Sequence, residues 1–438
     1  MIEDSQANFL SPSQSMRRLP ANANMAGMSY RDYDPETDNR AIRRIWKEVG
    51  WLKDVETDGI LVDSILGDAD EVLVATIDKD PECAVIGVSG DMRYLDESLS
   101  LGVVAGVTTS HISRKLGFAG DLTARLLARQ AAAGHDISAL GMFDQGFYDK
   151  LGFGSGTYEQ WIRFDPMTLT VSRSFRPPKR LQVRDYEMIH EAIGKRHRGH
   201  GGVVIYSSQL TRSDLGFTPD PFGLGYCDGD GNSLSHFIWG TATGEHGPYI
   251  IKTIVWQTSD QLLELLALIK SLGDQVNQVS MLEIGDIQLQ DLLKQPIRTR
   301  RATQGAKFAN ESRSLAFWQL RILNLESCLA KTHLNTPTLE FNLELTDPVE
   351  QYLEAGGNWR GITGRYIIRL GEESGAIPGH SDKLPTLTAS VNAFSRMWMG
   401  IRSASSLAIT DNLAADENLL VRLDASLRLP KPHTGLDF

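Results

Sequence analysis

Apolar positions follow two different spacings along this chain, and the switches between them mark its elements. From Tyr30 to about Pro178 a helical spacing over Asn39 to Val49 precedes strand-like runs at Glu71 to Ile77, Ala84 to Ser89, Leu101 to Val107 and Ile137 to Phe143. Strands interleaved with helices in this way predict an α/β unit. Farther on, Tyr249 to Trp256 reads as a strand. Ser259-Asp260 opens a helix carrying Leu262, Leu263, Leu265, Leu266 and Ile269, Gly273 stops it, and Val279 to Ile284 follows as another strand. The C-terminal part begins with Leu339, Phe341, Leu343 and Leu345 at period two, a half-buried strand. Further strands at Tyr366 to Leu370 and Leu384 to Val391 predict a small α+β unit there.

The breaks between these patterns predict domain boundaries. Residues 1–28 are polar and without periodicity, and read as a flexible tail. Arg176-Pro177-Pro178-Lys179 reads as a linker, because paired prolines stiffen the chain and disfavour helix interiors and central strands. The expected division is a tail at 1–28, a first domain at 29–178, a second at 179–310 and a third at 311–438. At roughly 150 residues per domain, 438 residues also suggest about three domains.

Composition narrows the function classes. With 41% hydrophobic and 23% charged residues, disorder, collagen and coiled coil are excluded as whole-chain readings. Lys and Arg total 44 against 55 Asp and Glu, a net charge of -11. That balance argues against broad nucleic-acid or anionic-membrane binding and favours cationic small molecules as partners where a site concentrates the field. Cys83, Cys227 and Cys328 are far apart with no Cys-x-x-Cys spacing, so they build neither a disulfide framework nor a zinc ribbon. Without an evident secretion signal or an apolar run of about 18 residues, the expectation is a cytoplasmic protein.

Two stretches carry candidate chemistry. In the first, the strand ending Val107-Thr108-Thr109 runs into Ser110-His111-Ile112-Ser113-Arg114-Lys115-Leu116-Gly117-Phe118-Ala119-Gly120, and an amphipathic helix follows from Asp121 to about Ala133, closed by Gly134. Gly117 and Gly120 let the backbone come close to a ligand, N–H groups at the helix start point outward, and Arg114 and Lys115 add positive charge. This is an anion cradle that suits a pyrophosphate. The second is the strand Ile137 to Phe143 followed by Asp144-Gln145-Gly146-Phe147-Tyr148-Asp149-Lys150-Leu151-Gly152-Phe153-Gly154.

Arg-x-x-Gly-x-Ala at a strand-to-helix junction, followed by Phe-Tyr-x-x-x-Gly-Phe-Gly, resembles the GNAT superfamily of N-acetyltransferases. The order of features narrows this to the enhanced intracellular survival (Eis) family: a GNAT lobe, a second lobe without the glycine loop, the stretch Leu315 to Leu329 with Trp318-x-x-Arg321, the run Leu384 to Val391, and a terminal Phe438. The implied fold is α/β and α+β: two GNAT-like lobes, the second degenerate, and a sterol-carrier-like C-terminal domain. The resemblance implies acetyl-CoA as co-substrate, wedged between two splayed strands. Val107, Thr108 and Thr109 would offer backbone groups to its acetyl and pantetheine portion. Arg114, Lys115, Leu116, Gly117, Phe118, Ala119 and Gly120 would wrap its pyrophosphate, with Phe143 and Asp144 lining the far side.

By the same resemblance Tyr148 is the general acid for the departing thiolate and the carboxylate of Phe438 is the base for the substrate amine, with direct transfer and no acyl-enzyme. A phenol of pKa about 10 keeps its proton at neutral pH, and an α-carboxylate near 3.5 is ionised. An aminoglycoside-like acceptor and a homohexamer are implied too. Three positions depart from the family pattern: His111 stands where proline is frequent, Gly120 adds no positive charge, and Asp121 brings a negative one while favouring its own helix start. The alternatives are acetylation of a peptide or protein lysine, and a non-catalytic protein that binds a lipid in the third domain and CoA in the first.

Trp318 and Arg321 by themselves read as a packed aromatic beside a helix-surface cation. His197-x-x-His200, among Lys195, Arg196 and Arg198, reads as a solvated loop. Asp228-Gly229-Asp230-Gly231-Asn232 reads as a hairpin turn, since Ser233 and Trp239 stand where a calcium loop needs glycine and glutamate. Gly87-Val88-Ser89-Gly90-Asp91 is not a nucleophile elbow. The expectation is therefore no metal and no serine nucleophile.

Overall fold

The computed structural model describes residues 27–436 except Thr57, Asp230 and Asn232. Most of the expected tail, and the terminal Phe438, lie outside the described residues; Met28, at the tail's expected end, already starts a strand.

In chain order the first part comprises β1 (Met28–Asp32), α1 (Pro35–Glu48), α2 (Gly59–Asp68), β2 (Glu71–Ile77), β3 (Asp80–Tyr94), β4 (Glu97–Thr109), α3 (Phe118–Ala132), β5 (Ile137–Gly141), α4 (Gln145–Asp149), β6 (Gly154–Ser155) and β7 (Glu159–Phe164). Next come β8 (Lys179–Leu181), α5 (Tyr186–Lys195), β9 (Val203–Ile205), α6 (Ser208–Gly216), β10 (Pro221–Cys227), β11 (Leu234–Ala242), β12 (Tyr249–Val255), α7 (Ser259–Ser271), β13 (Val279–Leu282) and α8 (Pro296–Thr303). The chain continues through β14 (Glu311–Leu315), β15 (Trp318–Ile322), α9 (Leu325–Ala330), β16 (Leu339–Thr346), β17 (Gly364–Leu370), β18 (Gly375–Pro378), β19 (Thr386–Ser390), α10 (Val391–Trp398), α11 (Ala404–Thr410), β20 (Leu413–Ala414) and α12 (Glu417–Ser426).

Local chemistry accounts for several boundaries. Asp34 caps α1 by accepting from the Glu36 N–H, with Pro35 in the first turn. Thr258 and Gln261 form the capping box of α7, so its cap lies before the Ser259-Asp260 pair that the sequence suggests. α3 begins at Phe118, three residues ahead of Asp121, because Gly117 turns the chain in the left-handed region. The strand expected to reach Val391 stops at Ser390, whose hydroxyl accepts from the Ala393 N–H and starts α10.

Three sheets result. The first has eight strands in the order β1-β2-β3-β4-β5-β15-β6, with β9 beside β3; the second has seven, β14-β7-β13-β12-β11-β10-β8; the third has five, β18-β17-β16-β19-β20. β3 is covered on both faces: Ala84, Ile86 and Val88 pack with Ile42 and Trp46 of α1, while Cys83 and Val85 pack with Leu122 and Leu126 of α3. Strand exchange ties the units together. β7 pairs with β13 and β14 in the second sheet, and β15 inserts between β5 and β6 in the first.

That insertion corrects the reading of Trp318 and Arg321. Both lie on a central strand and are 1% and 0% exposed, so Arg321 is not a surface cation. Its Nη2 pairs with Asp347 at 2.5 Å and its Nη1 donates to the Leu151 carbonyl. A strand flanked on both edges and covered on both faces leaves a long side chain no route to water, so its charge needs a buried partner.

His200 is likewise no solvated loop residue. Its Nδ1 accepts from the Leu95 N–H at 3.1 Å, its Nε2 donates to the Met399 carbonyl at 3.0 Å, and its own carbonyl accepts from the His433 N–H at 2.9 Å. The ring therefore joins the β3–β4 hairpin, α10 and the C-terminal segment as a neutral imidazole. His433 donates from Nε2 to the Glu283 carbonyl. Burial lowers the pKa of both rings. The unfolded chain thus binds more protons than the folded one, and the stability from both rings is complete above their unfolded pKa of about 6.5 and lost as pH falls through their lower folded values. Denaturation midpoints measured from pH 8 to pH 5 should fall with acidification, with a slope of at most about 1.4 kcal/mol per pH unit for each histidine. His200→Gln should remove part of that slope; an unchanged slope would count against this joint.

Candidate active site

β4 and β5 run parallel but pair only over Leu101–Val103 and Ile137–Ala139. Beyond that, β4 continues to Thr109 beside β3 alone. Gln130 of α3 fills the point of divergence, donating to the Val103 carbonyl at 3.2 Å and accepting from the Ser138 hydroxyl at 2.8 Å. A bulge then bends β4: Ala84 faces Thr108 and Ile86 faces Ala105, so three steps on β4 oppose two on β3. Gly106 sits in it at φ 58°, where a Cβ would lie 2.6 Å from Ile86 Cδ1. Only glycine fits both requirements. The divergence and the bulge together leave a wedge-shaped opening in which β4 backbone groups have no strand partner on one side.

The loop at the open end is built on its neighbours. The Ser110 N–H and the Ser113 hydroxyl both donate to the Glu82 carbonyl, and the His111 N–H donates to Glu48 at 2.9 Å. Lys115 and Gly117 have φ of 65° and 93°, folding the loop back onto the start of α3. No side chain caps that helix, so its first-turn N–H groups and the positive end of its dipole face outward. Arg114 and Lys115 are exposed, and neither forms an ion pair among the described residues. Asp121, the one acidic residue of the first turn, accepts from the Tyr30 hydroxyl at 2.6 Å. Burial, and then this bond, push the Tyr30 phenol far above its ordinary range. Gly120 faces the third unit, where a Cβ would lie 3.1 Å from the Tyr352 ring.

Tyr148 lies in the short helix α4, one residue before its end, at 2% exposure. Phe143, Phe147 and Phe153 surround its ring edge-on, with centroids 5.9, 4.9 and 6.1 Å away. Its hydroxyl has no hydrogen-bond partner among the described residues, and burial, with the nearby Asp144 charge second, raises its pKa well above the ordinary value. Tyr148 belongs to the same apolar cluster as Phe118, and Val107, Leu116 and Ala119 pack against that cluster. The fold therefore brings the two sequence motifs together at one slot. Thr108 is buried with its hydroxyl on the Gly106 carbonyl, and Thr109 faces Cys83 Sγ at 3.4 Å. Phe143 is 76% exposed at the rim beside the exposed Asp144.

Phe438 lies outside the described residues. The segment leading to it crosses between units: Thr157 donates to the Pro432 carbonyl at 2.7 Å, Val203 N–H to the Thr434 carbonyl at 3.0 Å, and Leu436 packs on the second lobe near Leu181 and Ile189. This segment also lines a corresponding splay in the second sheet. There β12 and β13 pair only over Tyr249–Ile251 and Val279–Met281, but the Trp256 carbonyl accepts from the His197 N–H and the Glu283 carbonyl from His433. His197 and His433 bridge the two strand ends, and a cavity lined by Ile254, Trp256, Leu282 and Glu283 stays open between them.

Sequence reasoning misses the supports of the Tyr148 turn. Gln319 donates to the Asp149 carboxylate at 2.7 Å, Arg321 reaches the Leu151 carbonyl, and Asn392 donates to the Asp149 and Phe153 carbonyls. Gly152, at φ 86°, would place a Cβ 2.6 Å from the Arg321 guanidinium. The glycines of the motif were the available signal, since each marks a close approach. Among the described residues no group of three or more His, Cys, Asp or Glu could hold a metal ion, and no helix is long and apolar enough to cross a membrane.

No protein-family model and no curated protein matches this sequence. Solved structures match it over nearly its whole length. A GCN5-related N-acetyltransferase from Anabaena variabilis is 17% identical with a TM-score of 0.73, covering 94% of this chain and 100% of its own. Eis1 from Mycobacterium abscessus is 14% identical with a TM-score of 0.71, at 94% and 100% coverage. A GCN5-related N-acetyltransferase from Kribbella flavida is 15% identical with a TM-score of 0.70, at 94% and 98%. At these identities the likeness establishes the fold, a mixed α/β architecture of three sheets shared with these proteins.

Proposed function

We propose that this chain, which has the fold of the GCN5-related N-acetyltransferases, is an acetyl-CoA-dependent N-acetyltransferase acting on amino groups of cationic, aminoglycoside-like small molecules. The observation that carries the proposal is the open splay of β4 and β5, bulged at Gly106, with a basic loop and an uncapped helix start at its mouth and Tyr148 in the same cluster. Val107, Thr108 and Thr109 would hold the acyl arm through backbone groups. Arg114, Lys115 and the N–H groups of Phe118, Ala119 and Gly120 would neutralise the pyrophosphate, with Leu116 and Gly117 shaping the turn and Phe143 and Asp144 on the far wall.

Acetyl-CoA supplies an acyl thioester, whose carbonyl carbon is the electrophile for the amine. Forming the C–N bond and breaking the C–S bond leaves a thiolate to be protonated and an ammonium to be deprotonated. Tyr148 serves the first: held above its ordinary pKa, the phenol carries its proton throughout the neutral range and is a constant donor toward the sulfur. The carboxylate of Phe438 serves the second as proton acceptor. Net charge of -11 favours cationic acceptors over anionic ones.

The test is release of CoA thiol from acetyl-CoA with polyamines, aminoglycosides and lysine peptides in parallel. Release with the small polyamines or aminoglycosides supports the proposal, and release with lysine peptides alone assigns the acceptor to proteins. CoA binding without turnover on any amine leaves a binding protein and removes the enzyme reading.

A further inference from the structure

The turn carrying Tyr148 is held by a residue 243 positions away from Asp149 in the chain. Asn392 lies in the first turn of α10, and its Nδ2 donates to the Asp149 carbonyl at 2.8 Å and to the Phe153 carbonyl at 2.7 Å. Both N–H donors of the amide are thereby used, one near each end of the loop between α4 and β6. The backbone beneath it closes on the same loop: a Cβ at Gly154 would lie 2.5 Å from the Asn392 carbonyl oxygen, and one at Gly152 would lie 2.8 Å from Val391 Cγ1. α10 itself is anchored, since Ser395 accepts from the Ile322 N–H at 3.1 Å and Trp398 stacks on Tyr94.

The Tyr148 carbonyl accepts from the N–H groups of Leu151 and Phe153, so its backbone is continuous with this loop. Its hydroxyl makes no hydrogen bond among the described residues. Ring packing and the backbone of residues 149–153 are what remain to place the phenol. We propose that Asn392 is a positioning residue for Tyr148, making α10 of the third unit a working part of the transfer site; the proposal rests on the acetyltransferase reading.

The experiment compares Asn392→Ala, which removes both donors, and Asn392→Asp, which sets a carboxylate against two carbonyl oxygens, with Leu407→Ala, a core substitution in α11. A displacement of about 1 Å costs about 100-fold, so kcat should fall about 10- to 100-fold in both Asn392 variants. KM for acetyl-CoA should stay within about two-fold, since the change acts on the transition state. Leu407→Ala should lower Tm at least as much and leave kcat intact. Unchanged kcat in Asn392→Ala, or an equal loss of kcat in Leu407→Ala, overturns the proposal. Should the wild type transfer to no amine, the acetyltransferase reading fails, and nitration of Tyr148 at pH 8, located by peptide mass spectrometry, decides the placement alone. Faster nitration in Asn392→Ala than in both the wild type and Leu407→Ala supports it, and equal rates overturn it.

Discussion

Tyr148→Phe is expected to lower kcat for acetyl transfer by about 100- to 10,000-fold, the range that a positioned general acid supplies. CoA affinity and Tm should stay close to those of the wild type. The reason lies in the environment of the ring. Tyr148 is 2% exposed and held edge-on by Phe143, Phe147 and Phe153, contacts that phenylalanine keeps. Its hydroxyl has no partner among the described residues, so removing it breaks no hydrogen bond and orphans no neighbour. The variant therefore isolates the chemistry from the packing. Burial raises the phenol's pKa, so the rate should show no alkaline loss from this group until well above pH 10. A rate within about three-fold of wild type, measured as CoA-thiol release, would mean that the departing sulfur is protonated elsewhere.

Arg321→Met is expected to destabilise the chain by about 3 to 5 kcal/mol, the cost of breaking a buried ion pair by removing one partner. Arg321 and Asp347 are both 0% exposed and 2.5 Å apart. The guanidinium also donates to the Leu151 carbonyl and lies 5.3 Å from the Trp359 ring centroid. Asp347 keeps the Val349 and Ile362 N–H groups after the substitution, but its charge would remain buried without a counterion. Arg321→Met with Asp347→Asn should recover part of the loss, because the residual charge goes while an acceptor stays. Urea denaturation followed by fluorescence checks this, and a loss below about 1 kcal/mol for the single variant would mean that water reaches the pair. Because Leu151 lies in the Tyr148 turn, any folded fraction should also show slower transfer.

Legibility in the sequence varied with the range of the interactions. β2 occupies the strand-like run Glu71 to Ile77, and β16 extends the period-two run from Leu339 by one residue beyond Leu345. The strand, loop and helix from Val107 to Ala132 could be read because each step rests on neighbours in sequence: Gly117 for the turn and the helical spacing after it. The need for glycine in the bulge at Gly106 was not visible, since it comes from the side chain of Ile86 across the sheet. The Phe-Tyr-x-x-x-Gly-Phe-Gly motif was visible as a pattern, whereas the reason for its glycines, the approach of Arg321, Val391 and Asn392, was not.

By itself the sequence determined the local elements and which residue types stand at the candidate site, because hydrophobic period, helix caps and turn glycines act over a few residues. Only the tertiary structure decided which sheet each strand joins. β7 and β15 carry no local mark of their exchange, as an apolar strand looks the same whichever neighbour hydrogen-bonds to it. The same holds for Arg321, whose burial depends on what covers β15, and for Asn392, whose two acceptors lie 239 and 243 residues away. A short polar side chain has no partner until the whole chain has folded around it, and the placement of Tyr148 is settled at that stage.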